Sequence, residues 1–233
     1  MYFLKPIMYI CFNLSLKRFF FNIKFMSILQ QLSSQTGNRC EQPNRDVARQ
    51  CIENAKLLEE IEAGFKSKDV KLIGDCAEVM TFVAETNPEL ISKYFNELHP
   101  LIKHKNGRIK WEAMHAISHI AHLVPDHIFS ILVELDDILH KEQGVIVRDY
   151  ATQTICNYAQ TGKEAAGIAY PVMKEILHFW GERHASRVID ALSKIYSLLP
   201  GLKNELLVTV SEYENSSRGI IKKAVSKLKK TLN

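Results

Sequence analysis

The chain lacks most of the short patterns that announce a chemistry. It has five cysteines, an odd number, and no pair in CxxC spacing, which argues against a disulfide framework or a zinc ribbon and for a reduced, cytoplasmic protein with packed thiols. It holds no glycine-rich phosphate loop, no nucleophile elbow and no paired-carboxylate motif of defined spacing, so no catalytic residue, metal or cofactor is assigned and an enzyme is not the expected class. Strand-period alternation is missing as well, which leaves an all-α reading. Charge of one sign is also scarce. The formal net charge is +4, but Lys5, Lys17, Arg18 and Lys24 stand in the first 25 residues without a single acid. Subtracting those four from 30 basic residues leaves 26 against 26 acidic ones from Met26 onward. A neutral body gives no global drive toward nucleic acid or a membrane surface.

The opening 25 residues stand apart. They contain six of the eleven phenylalanines, and their longest uncharged stretch, Pro6 to Leu16, is eleven residues, well short of the ~20 needed to span a bilayer. Lys17 and Arg18 interrupt it and no small-x-small cleavage site follows. Residues 1–25 are therefore read as a spurious or disordered extension with Met26 as the expected start, the alternative being a weak basic anchor at a membrane surface.

What the sequence does have is repetition. CAEVMTFVAETNP, AMHAISHIAHLVP, ATQTICNYAQTGK and VIDALSKIYSLLP, beginning at Cys76, Ala113, Ala151 and Val188, align without a gap at spacings of 37, 38 and 37 residues. A fixed period of this length is the mark of stacked helical hairpins, each burying its apolar face only against its neighbours. First helices are expected at about 69–86, 107–123, 145–160, 182–198 and 217–231. Second helices are expected to start near Pro88, Pro125, Lys163 and Leu202, all four at or beside a proline or glycine. The columns Val79/Ala116/Thr154/Ala191, Met80/Ile117/Ile155/Leu192 and Val83/Ile120/Tyr158/Ile195 form the expected core. Before the repeats, Gln35 to Asn44 reads as a polar connector, followed by a helix capped by Asn44 with Val47, Cys51, Ala55, Leu58 and Ile61 as its apolar stripe. The expected architecture is an all-α solenoid of about four helical pairs. Residues 26–66 form an N-terminal helical cap, 67–233 the solenoid, and the last helix a C-terminal half-repeat.

The runs RIKWEAMHAISHIA from Arg108 and VIVRDYATQTICNYA from Val145 resemble HEAT repeats, in which a Val-Arg pair precedes a small residue at a helix start. Val147, Arg148 and Ala151 match, as do Ile109, Lys110 and Ala113 with lysine for arginine, whereas Ile73 and Ala185 depart from the arginine column. The resemblance covers about residues 67 to 232. It implies an armadillo-like solenoid whose second helices line the concave side, and it places Glu142 where an acid bonds Arg148.

Four surface groups remain. His115, His119 and His122 share one helical face, a geometry that permits a metal, although their columns elsewhere hold mostly solvated residues. Arg108, Lys110, Arg148 and Arg183, with Lys71 and Arg187 nearby and Arg218, Lys222, Lys223, Lys227, Lys229 and Lys230 in the last helix, could form a ridge that contacts phosphates, or could serve only to bond neighbouring repeats. Glu134, Asp137, Glu175 and Glu212, joined by Glu97 and Asp136, make an acidic stripe on the second helices. Trp111, Tyr150, Trp180, His178 and Phe179 are candidate stacking groups. The expected function is a non-enzymatic scaffold that grips a protein or peptide segment through the acidic stripe. The alternative rests on a faint resemblance of the stretch from Val147 to HEAT-like DNA alkylation-repair glycosylases, with Asp149 as the acid; it lacks the tryptophan of that helix.

Overall fold

The computed structural model describes residues 27–233, so the reading of residues 1–25 lies outside the described residues. Among those described there is no strand, and no helix is long and apolar enough to cross a membrane.

The chain runs through α1 (Ser33–Thr36), α2 (Gln42–Glu53), α3 (Leu57–Gly64), α4 (Val70–Thr86), α5 (Pro88–Ser92), α6 (Phe95–Leu98), α7 (Gly107–Ile120), α8 (Pro125–Ser130), α9 (Leu132–Lys141), α10 (Val145–Tyr158), α11 (Lys163–Trp180), α12 (Glu182–Ile195), α13 (Lys203–Tyr213) and α14 (Gly219–Leu232). The first helices of the repeats, α4, α7, α10, α12 and α14, begin where the period predicts. Local chemistry fixes two of those starts. Asp69 accepts from the Lys71 amide at 2.9 Å, and Asn106 accepts from Arg108 and Ile109 at 3.0 and 3.2 Å, so a side-chain oxygen satisfies amides that have no intrahelical partner.

The second halves are less uniform than the expected pairs. In the first two repeats each is broken in two, at Tyr94 and at Ile131, whose backbones leave the helical region (ψ 15° and 8°). These repeats therefore hold three helices. In the third, α11 runs unbroken through Pro171, which cannot donate to the Gly167 carbonyl. It ends at Gly181, whose positive φ of 54° and amide bond to the Leu177 carbonyl at 3.0 Å close the helix as glycine does most readily.

The N-terminal region also differs from its expectation. The single helix over the Val47–Ile61 stripe is two helices, parted at Asn54. Asn44 is not a cap. It lies in the first turn of α2, fully buried, where Oδ1 accepts from the Ser33 amide at 2.9 Å and Nδ2 donates to Glu78 at 2.6 Å. An amide able both to give and to accept thus locks the cap onto the first repeat.

Every residue of the three predicted core columns is buried, and one apolar cluster extends from Ile28 to Leu232. Buried small residues, Ala77, Ala113, Ala116, Ala151, Ala185 and Ala191 among them, let successive first helices pack directly on one another, whereas successive second helices are joined through side chains.

Candidate functional site

The structure places the two charge groups on opposite rows and pairs most of their members. On the second-helix row, Glu134 is 18% exposed and bonded to His99 at 2.9 Å and Lys103 at 3.0 Å. Glu175 meets His140 at 3.1 Å, and Asp137 meets Lys141 at 2.8 Å. Asp136 also faces His140, whose imidazole is held above its ordinary pKa by a bond to the Asp136 carbonyl and by the two carboxylates. The Glu134 and Glu175 pairs link one repeat to the next, whereas those of Asp136 to His140 and Asp137 to Lys141 lie within α9. Glu212 projects into an open groove of about 780 Å³ between α11 and α13, together with Glu175, Glu205, Lys174, Val208 and Tyr213. Glu205 accepts from Tyr170 at 2.9 Å and from Lys174 at 2.8 Å, which hold its carboxyl below the ordinary range. Val208 is 57% exposed on the rim.

The basic ridge does not act as a unit. Arg108 bonds Asp75 at 2.8 Å and Glu78 at 2.9 Å. Burial would raise the Asp75 carboxyl, but bonds from Ser34 and the Arg108 guanidinium outweigh it and hold the acid below its ordinary value. Lys110 bonds the Glu142 carboxylate. Arg148 is 3% exposed, stacked 4.0 Å over the Trp180 ring and bonded to the Glu142 carbonyl. The expected bond between Arg148 and the Glu142 carboxylate is thus absent, because that carboxylate is taken by Lys110 and by the Gly144 amide at 2.8 Å. Arg183 is exposed. It lines an open groove of about 940 Å³ between α12 and α14 with Arg187, Arg218, Lys223, Lys227 and Lys230, against Asp149 and Asp190. Asp149 bonds Arg187 and His184, the latter at 3.1 Å, and these partners keep its carboxyl below the ordinary range despite burial.

The aromatic candidates are largely engaged inside the fold. The Tyr150 ring stacks on His115 at 3.8 Å, Trp111 donates to Glu112 at 2.6 Å, and Trp180 donates to the Leu139 carbonyl at 3.1 Å. Of the three histidines, His122 is exposed and apart, while His115 and His119 are half-buried with ring centroids 4.8 Å apart. Their predicted solvated face is therefore packed, with Glu85 of α4 beside them.

Several polar partners were not singled out from the sequence: His99, His140, Tyr170 and Glu205. A signal existed. The bonds His99 to Glu134, His140 to Glu175 and Tyr170 to Glu205 all span 35 residues, close to one repeat.

No protein-family profile matches the chain, and no curated protein matches it. Solved structures do. A designed armadillo repeat protein in complex with the peptide (KR)4 superposes with a TM-score of 0.67 at 18% identity, covering 88% of this chain and 98% of that one. A computationally designed armadillo repeat protein for modular peptide recognition gives 0.65 at 17%, covering 88% and 98%. The chain has the armadillo/HEAT-like α-solenoid fold.

Proposed function

We propose that the protein is a non-enzymatic scaffold that binds an extended, basic segment of a partner protein along its acidic second-helix stripe. The observation that carries this reading is the groove between α11 and α13, where Glu175, Glu205 and Glu212 face Lys174 across an apolar wall that includes Val208. Carboxylates at intervals along a groove suit lysine and arginine side chains, and the apolar wall takes their methylene stems. A basic peptide bound by a protein of the same fold supports the choice of partner. Fluorescence anisotropy with a labelled Lys-Arg octapeptide tests it. Micromolar binding that weakens with salt, and is lost when Asp137, Glu175 and Glu212 become lysine, is the expected result. Equal binding by the reversed variant would refute it.

A second reading is favoured by the groove between α12 and α14, whose six cations face two acids. That charge suits a polyanion, and with Asp149 ionised beside it the DNA alkylation-repair alternative retains a place. Arg183, Lys223 and Lys230 would carry duplex affinity with a steep salt slope. Retention on duplex DNA across a salt series, with an assay for release of alkylated bases, separates this reading from the first.

A further inference from the structure

We propose that Glu85, His115 and His119 form a binding site for a divalent transition-metal ion of the zinc, nickel or cobalt class, clamping α4 to α7. The three side chains each offer a ligand atom, and these atoms all lie within 4.8 Å of one another. His115 and His119 are four residues apart on α7, so both imidazoles leave the same face of the helix. Glu85 comes from the last turn of α4, the neighbouring first helix. Bonds of about 2.0–2.2 Å to imidazole nitrogen and carboxylate oxygen require ligand atoms somewhat closer than 4.8 Å, and the exposed Glu85 side chain is free to make up the difference by a rotamer change.

Further observations point the same way. The His119 Nε2 atom is buried with no hydrogen-bond partner, an arrangement that costs free energy unless something accepts its lone pair or its proton. His115 is held in place by the Tyr150 ring stacked on it at 3.8 Å, so one ligand is already oriented. The nearest cations are each held by an acid already: Arg187 by Asp149 and Arg45 by Glu41. Two imidazoles and one carboxylate suit zinc and its neighbours better than calcium or magnesium, which take oxygen sets. Three protein ligands leave a coordination position for water or for a side chain of a bound partner. His122, on the same helix, is exposed and outside the set.

The test is a cobalt titration of the full chain with Cys40, the exposed thiol among the described residues, and Cys11 changed to serine. It is read by visible d–d absorption and repeated with zinc by calorimetry. The expected result is one ion per chain with a micromolar Kd, weakened at least tenfold in both Glu85→Gln and His119→Ala and unchanged in His122→Ala. Zinc at a hundred times its Kd should also raise the melting temperature of the parent chain and leave that of Glu85→Gln unmoved. Glu85 is exposed, so that variant keeps the fold even if His119→Ala does not. No stoichiometric binding below about 100 μM, or binding that survives Glu85→Gln while disappearing in His122→Ala, would overturn the site.

Discussion

Glu112 should make the protein less stable as the pH rises from about 4.5 to 7, and replacing it by glutamine should remove that loss. The carboxyl is 7% exposed on α7. Burial above all, reinforced by repulsion from Glu78, lifts its pKa from 4.5 to about 7, against the bonding of Trp111 and the attraction of Arg108. A raised acid holds its proton more tightly when folded. Below pH about 4.5 both states are protonated and nothing is lost. Between about 4.5 and 7 the unfolded chain ionises first, so stability falls, and above 7 the penalty is constant. At about 1.4 kcal/mol per pH unit the ceiling is about 3 kcal/mol, and relaxation of the site brings the expected loss to about 1–3 kcal/mol. Glu112→Gln keeps an oxygen to accept from Trp111 Nε1, now 2.6 Å away, and has no proton to lose. Thermal melts followed by circular dichroism at pH 4 and pH 8 should show the two proteins nearly alike at the lower pH. At the higher pH the variant should lead by about 2–10 °C for a chain of this length. Other titrating groups are shared and cancel in the difference. A gap of equal size at both pH values, or no gain at pH 8, would refute the burial argument.

Two glycines should respond oppositely to alanine. At Gly64 a Cβ would meet the Cys76 sulfur at 2.4 Å in the packed seam between α3 and α4, so Gly64→Ala should lose about 1–3 kcal/mol in chemical denaturation despite the better helix propensity of alanine. At Gly167, inside α11, a Cβ meets nothing within 4 Å, and Gly167→Ala should gain about 0.5–1 kcal/mol. Ending the chain at Asn215 removes α14, whose Ile221, Val225, Leu228 and Leu232 are buried. The shortened protein should aggregate, as static light scattering would show; equal solubility would mean that α14 does not cap the stack.

The period made the first-helix row legible, because each first helix presents the same buried columns to the next and a slip of one residue would turn them to solvent. Breaks within the second halves were not legible. Tyr94 and Ile131 carry no turn chemistry of their own, yet their backbones leave the helical region. Composition alone could not divide the charged residues into free and paired. Arg108 and Arg183 occupy the same column, yet one is fixed by Asp75 and Glu78 and the other stands exposed in a groove, a difference set by whichever acid the preceding repeat happens to offer. The same holds for Asn44, whose polar side chain signals a cap but finds its partners 11 and 34 residues away.

The unequal spacing of the two rows has a mechanical consequence. Along the first-helix row the helices touch through buried alanines, so any bend that parts them opens cavities and is strongly resisted. Along the second-helix row many ties are side-chain bridges such as His140 to Glu175 and Lys174 to Glu205, half or more exposed on the acidic side, and each is worth about 0–1 kcal/mol. The solenoid is therefore stiff against extension of one edge and compliant along the other, like a fan fixed at its pivot. Grooves on that row can widen to admit segments of different thickness where the ties are of this kind, and less readily between α11 and α13, where the buried Tyr213 hydroxyl donates to the Leu177 carbonyl at 3.0 Å.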